Sequence, residues 1–345
     1  MKHAERVEYI RAAERTAHSL GLPSHGPSTD LAIVDYCRQE VSRLVSAHGG
    51  GLPPTMDGLL GRVATCLDVE IVEIHGPDDI RQLLERVPPT AEPVMALVDD
   101  ELNDETDAIT IRRQKPGPWH RYLAIINCQG QHYQRRFFTK WHELAHRLVD
   151  GEQLMLAFRH TTDVRKDPGE ILVDKVAGEL AFFPEIVGPH AERCLRQHGF
   201  TFEAVDALQT AVAPEASQQA TALALMRHMN DPAWYLRSAV SLNRTEARIA
   251  IRRIGKARPT PLLRIQEVVG NDAAWSCGTR IHQWMRVPPS SLITSALRSG
   301  TPRTGTELLD DWVTSRGGPI GSGSLTVDAQ VAGEQVLALA SLSDH

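Results

Sequence analysis

The chain has 345 residues, 42% hydrophobic and 23% charged, and its 37 basic residues against 43 acidic ones leave a net charge of −6. That length sets a prior of two or three domains, and the charge excludes a protein that coats nucleic acid or a membrane surface over its whole length. No signal-peptide core stands near the N-terminus and no run of about 18 apolar residues occurs, so a soluble, cytoplasmic chain without a membrane partner is expected. Five cysteines (Cys37, Cys66, Cys128, Cys194 and Cys277) include no CxxC pair. They read as isolated, reduced thiols rather than a disulfide framework or a zinc ribbon.

Along the chain, residues 3–20 predict a helix, and a breaker stretch follows from Leu22 to Asp30. A second helix is expected from Leu31 to Ala47, where Ile33, Val34, Cys37, Val41, Leu44 and Val45 repeat at helical spacing. Pro53-Pro54-Thr55 opens a third, with Thr55 as N-cap. Strands are expected at 69–74, 94–98, 108–113 and 122–128. The acidic stretch Asp99–Asp107 reads as a solvated loop between two of them. A helix over 135–149 ends at Asp150-Gly151. Further helices are expected at 168–183, 203–213, 217–229 and 232–254, then strand-like runs at 262–269, 280–287 and 325–331 and a glycine-rich loop at 317–323. Helices and a small sheet without strict alternation make an α+β pattern, and the last 85 or so residues read as a separate α/β domain.

One stretch carries chemistry: Trp141-His142-Glu143-Leu144-Ala145-His146. His142 and His146 are four apart, hence about 40° apart on a helix and one turn along it. Two imidazoles so placed can share one tetrahedral ion, and Glu143, rotated by about 100° from His142, can reach a water there as general base. Phe137, Trp141, Leu144, Ala145 and Leu148 gather on a separate face that serves as core. The bare pattern can arise by chance, and the alternative is two histidines without a ligand, but the separation of the histidine face from the core face favours the metal reading.

Zinc in a catalytic site takes a third protein ligand. Downstream, Glu170 and Asp174 share a helical face with the small residues Gly178 and Ala181, opposite Leu172, Val173, Val176 and Leu180. Glu170 suits the third ligand and Asp174 an acceptor for a ligand histidine N–H. Another reading stays open: Asp167, Pro168 and Glu170 also spell a capping box with proline at the first helical position.

Arg136-Phe137-Phe138-Thr139 running into His142-Glu143-Leu144-Ala145-His146 resembles the first conserved block of the ImmA/IrrE-like zinc metallopeptidases. Glu170, Asp174, Val176-Ala177-Gly178-Glu179 and Pro184 resemble their second block. Ala145, Trp141 and Val173 depart from the usual Gly, Ala and Cys, and one extra residue precedes Pro184. The resemblance covers about residues 50–190. It implies a zincin-like fold, Glu170 as third ligand, Zn2+ (or Mn2+) as cofactor, and site-specific cleavage of a helix-turn-helix transcriptional repressor in a DNA-damage, stress or mobile-element response. It also implies an organisation of N-terminal helices (1–48), a metallopeptidase domain (49–195), a helical, helix-turn-helix-like segment (196–258) and a GAF-like sensory domain (259–345) that takes a small-molecule effector.

Arg244, Arg248, Arg252, Arg253, Lys256 and Arg258 form a basic strip. It reads either as a solvated helix face or as a contact for DNA or an acidic partner. His132, Tyr133, His160 and His190 flank the metal motif and are expected to be exposed bystanders. Two further readings compete with a repressor-cleaving peptidase: a DNA-binding or ligand-sensing regulator whose metal site is vestigial or structural, and a protease-type defence effector.

Overall fold

The computed structural model describes residues 3–88, 92–113, 120–149, 156–160, 167–252, 259–313 and 318–343. It is a mixed α+β chain whose strands form one four-stranded and one five-stranded sheet. By contacts it divides into two compact units, residues 1–189 with 209–217, and residues 190–208 with 218–345. No helix among the described residues is long and apolar enough to cross a membrane.

The first unit opens with helices α1 (His3–Ser19), α2 (Thr29–Ala47) and α3 (Met56–Cys66), followed by strand β1 (Val69–Ile74) and α4 (Pro77–Arg86). The short helix α5 (Val98–Glu101), strands β2 (Thr106–Arg112) and β3 (Tyr122–Asn127), helix α6 (Arg136–Val149), strand β4 (Leu156–His160) and helix α7 (Pro168–Leu180) complete its regular elements up to Leu180. Thr55 caps α3, its hydroxyl accepting from the Gly58 amide at 3.2 Å.

The sheet order is β1-β3-β2-β4, with β1 and β3 parallel and the other pairings antiparallel. Residues alternate between its faces. Ile109, Ile111, Leu123 and Ile125 pack against Ile80, Leu83, Met95, Val98 and Leu102 on one side. Thr110, on the opposite side, meets α6. The expected strand at 94–98 is instead a 3-10 turn over Pro93–Leu97 leading into α5. Met95, Val98 and Leu102 are buried at helical spacing, and Pro93 starts the turn, so a run that looks extended buries its residues as a helix does. The acidic stretch is not all solvated either, because Asp107 lies within β2 and is buried.

A buried charge joins three helices of this unit. Asp30 on α2 accepts from the Tyr9 hydroxyl of α1 and the Lys175 ammonium of α7, each at 2.8 Å. Burial alone would raise the Asp30 carboxyl. The bonds from Lys175 and Tyr9 outweigh it and hold the group below its ordinary value of 3.8. A depressed folded-state value contributes stability above the ordinary value, which is lost as pH falls through the folded one. Asp30→Asn should therefore cost about 1–3 kcal/mol at pH 7, and the gap in urea midpoint between wild type and variant should be narrower at a pH well below the ordinary value of 3.8. An equal gap at both pH values would remove the ion pair from this role.

Helices α8 (Pro184–His198), α9 (Phe202–Val212) and α10 (Gln218–Met226) follow, with residues 209–217 belonging to the first unit. The second unit then adds β5 (Ala233–Ser241), α11 (Arg244–Arg252), β6 (Leu262–Gly270), α12 (Asp272–Ser276), α13 (Leu292–Ser299), β7 (Arg303–Leu308), β8 (Ser324–Ala332) and β9 (Gln335–Ser343). Its antiparallel sheet runs β6-β5-β9-β8-β7. Trp234, Leu236, Ile265, Ile293, Leu309, Trp312, Val327 and Ala338 fill the core between this sheet and its helices.

Residues 232–254, expected as helix, thus divide into the strand β5 and the helix α11. Ala233 to Leu236 are buried in succession, as a strand covered on both faces requires. The sheet therefore begins before residue 259. The expected strand at 280–287 is irregular, with one bridge from Arg286 to Arg264. Of the glycine-rich run 317–323, Gly317 lies outside the described residues.

Candidate metal centre

Helix α6 presents the motif and α7 packs against it. Around α6, His142, Glu143 and His146 are buried together with Phe137, Trp141, Leu144 and Ala145. The helix is thus enclosed on most of its circumference. Helix α7 starts where expected: Asp167 is its N-cap, accepting from the Gly169 amide at 2.7 Å, with proline at the first turn. The cap is made by Asp167, while the Glu170 carboxylate turns to the histidines.

His142 Nε2 lies 3.1 Å from Glu170 Oε2 and 3.1 Å from His146 Nε2, and His146 Nε2 is 3.4 Å from Glu170 Oε1. On its other side, His142 Nδ1 meets Asp174 Oδ1 at 2.9 Å. A carboxylate only accepts, so Nδ1 carries the proton, and in the neutral ring Nε2 presents a lone pair. That lone pair faces a carboxylate oxygen and a second imidazole nitrogen. Acceptors that converge in this way need a proton or a cation between them.

The spacing fits a cation. Ligands at 2.0–2.1 Å around a tetrahedral ion stand about 3.3–3.4 Å apart, close to the three separations found here. The donor set of two imidazoles and one carboxylate suits Zn2+, and a Mn2+ ion could use it. With protons rather than an ion in the cluster, burial would raise the Glu170 carboxyl, but bonds and charges from protonated His142 and His146 hold it far below its ordinary value.

Glu143 does not join the donor cluster. Its Oε2 accepts from Thr110 Oγ1 at 2.7 Å, and among the described residues its buried Oε1 has no hydrogen-bond partner. The strand β2 thereby fixes one carboxylate oxygen and leaves the other unused. Thr110 carries no motif, and only the pairing of β2 under α6 reveals it. Asp174→Asn should weaken Zn2+ binding about 10–100-fold, read by competition with a chelating dye at unchanged helix content. Undiminished affinity would deny Asp174 an orienting role.

His132 is not an exposed bystander. It is buried, with Nδ1 2.9 Å from Asp107 Oδ1 and Nε2 3.0 Å from the Asp104 carbonyl oxygen, and so ties the turn before α6 to β2. Tyr133 is exposed, with the Arg136 guanidinium stacked on its ring. His190 faces Arg193 on α8. His160 ends β4, and its side chain lies outside what is described.

Of the basic strip, Arg244 and Arg248 are exposed on α11. Arg252 lies in the same helix, whereas Arg253, Lys256 and Arg258 fall outside the described residues. Asn243 and Glu246 cap α11 reciprocally, and Glu246 also holds Arg264 through two bonds of 2.8 and 2.9 Å.

No family model matches the chain and no curated protein is similar to it. Among solved structures, a Mycobacterium tuberculosis transcriptional regulator is similar at a TM-score of 0.44 and 11% identity, over 97% of this chain and 82% of that one. A likeness of that size carries no argument about activity.

Proposed function

We propose that the chain is a zinc-dependent endopeptidase in which His142, His146 and Glu170 hold the ion and Glu143 is the general base. The observation that carries this reading is the convergence of three metal-donor atoms at tetrahedral spacing beside a buried carboxylate with one oxygen unused. When bound, a Zn2+ ion supplies Lewis acidity toward a water and a peptide carbonyl. Every other part of the chemistry belongs to the chain. Asp174 orients His142, Thr110 pins one Glu143 oxygen, and the free oxygen takes the water's proton and returns it to the leaving amine. Burial of His142, Glu143 and His146 limits the access of bulk water to their side of the site, while the partly exposed Glu170 faces its opening.

The substrate class rests on the resemblance of the two motif blocks to ImmA/IrrE-like enzymes: a helix-turn-helix repressor, cut in a stress, DNA-damage or mobile-element response in the cytoplasm. On this reading the first unit is the zincin-like part. The second-unit sheet, with its strands in the chain order second, first, fifth, fourth, third and α13 packed on it, suits a GAF-like sensor for a small-molecule effector.

The competing reading is a DNA-binding or ligand-sensing regulator with an inert metal site. Helix α10, where a reading helix would lie, carries no Lys or Arg, which a phosphate-contacting element needs. On α11, Arg244 and Arg248 are the exposed described cations that such a contact could use.

New protein N-termini compared between cells producing wild type and Glu143→Gln, with and without DNA damage, separate the two. One or a few cuts seen only with wild type, in a helix-turn-helix protein, are expected. Identical N-termini in both, with the biological response intact in the variant, would overturn the peptidase reading in favour of the regulator.

A further inference from the structure

A second set of metal-donor atoms converges where β1 and β3 end in the four-stranded sheet, in residues that the proposed peptidase chemistry does not use. Strands β1 and β3 run parallel in a register that places Ile74 beside Asn127. The residues that follow, His75 and Cys128, therefore leave the sheet side by side, and the Cys128 amide donates to the Ile74 carbonyl at 2.8 Å. Glu73, two residues before His75, points to the same side. Glu73 Oε2 stands 3.3 Å from His75 Nε2 and 3.7 Å from Cys128 Sγ, and the three donor atoms lie within 4.8 Å of one another.

We propose that Glu73, His75 and Cys128 form a second binding site for a borderline divalent cation of the Zn2+ or Co2+ class, independent of the His142–His146–Glu170 cluster. Around a tetrahedral ion with metal–sulfur and metal–nitrogen bonds of 2.3 and 2.0–2.1 Å, sulfur stands about 3.6 Å from a nitrogen or oxygen ligand, and nitrogen about 3.3–3.4 Å from oxygen. The oxygen–nitrogen and oxygen–sulfur separations from Glu73 match these values, and the nitrogen–sulfur pair lies within 4.8 Å. One thiolate, one imidazole and one carboxylate select zinc-like ions over the hard cations Mg2+ and Ca2+, which prefer oxygen alone.

The surroundings suit such an ion. Glu73 offers Oε2 to the cluster because its Oε1 is taken by the Lys140 ammonium, which Glu215 also holds at 2.7 Å. His75 is half exposed at the rim and gives an ion a way in, while Cys128 is buried at the base. Burial and the Glu73 carboxylate push the Cys128 thiol up to about 12. Binding must then break the S–H bond, form the sulfur–metal bond and release the proton to solvent.

Titration of the full chain with Co2+ tests the site without any assay of hydrolysis, because the His142 cluster contains no sulfur. A thiolate-to-cobalt charge-transfer band in the near ultraviolet is expected, saturating at one ion per chain and retained in the His142→Ala/His146→Ala double variant. The band should vanish in Cys128→Ser, whose size is nearly that of the native residue. His75→Ala, a change at a half-exposed position, should weaken the cobalt affinity more than about tenfold at unchanged helix content, since losing a ligand costs at least what losing its support does. Absence of the band in wild type, or its persistence in Cys128→Ser, would overturn the proposal. Loss of the band together with the His142 and His146 ligands would equally show that the two clusters are not independent.

Discussion

Glu143→Gln is expected to slow peptide hydrolysis about 10²–10⁴-fold on the substrate found through new N-termini, with the zinc content of the protein unchanged. The amide keeps the shape of the side chain and the bond from Thr110, but it cannot take a proton from water. Thr110→Val should give a smaller loss, about tenfold, equivalent to about 1.4 kcal/mol of transition-state stabilisation. It frees a carboxylate oxygen that β2 otherwise holds at 2.7 Å without removing the base. A Glu143→Gln protein as fast as wild type would leave the carboxylate no part in the chemistry. Equal losses in both variants would instead point to a disturbed centre.

The largest effect on stability is expected at Trp141. Its side chain is fully buried in α6 beside the motif histidine, and truncation to alanine should cost about 3–5 kcal/mol through lost contact and the cavity left behind. For a unit of this size that corresponds to a fall of roughly 6–20 °C in the melting temperature, read by calorimetry as a shift of the first unit's transition. Trp141→Phe should cost much less. Among the described residues the indole N–H has no acceptor, so phenylalanine loses area but also removes a buried donor whose desolvation no bond offsets. If the phenylalanine variant is as unstable as the alanine one, the ring's volume is not what holds the helix.

The parts of this fold that can be read from the sequence are those whose information is local. His142 and His146 announce themselves because one helical turn brings residues four apart together. Thr55 and Asp167 announce α3 and α7 because a cap is made within three residues. Glu170 and Asp174 are half readable: the wheel shows their shared face, yet only packing decides whether that face meets the histidines. The cluster of Glu73, His75 and Cys128 is not readable, since Glu73 and Cys128 are 55 positions apart and meet only through parallel pairing of β1 with β3. The strand β5 reads wrongly as helix because Arg237, Ala239 and their neighbours favour a helix by intrinsic preference, while burial of Trp234 and Tyr235 in a central strand overrides it.

Residues 209–217 have a consequence for the order of events at the ribosome. They belong to the first unit although residues 190–208, assigned to the second, are made before them. Glu215, which holds Lys140 at 2.7 Å and lies 3.9 Å from Arg136, is among them. A nascent chain that has emerged only as far as residue 189 already contains α6, but its nearly buried Lys140 ammonium has Glu73 as its only carboxylate of that pair. At about 5–20 residues per second the missing carboxylate arrives on the order of seconds later. The helix that carries the histidines is thus neutralised from a piece of chain translated after the other unit has begun, and a chain released early at residue 189 carries this imbalance permanently.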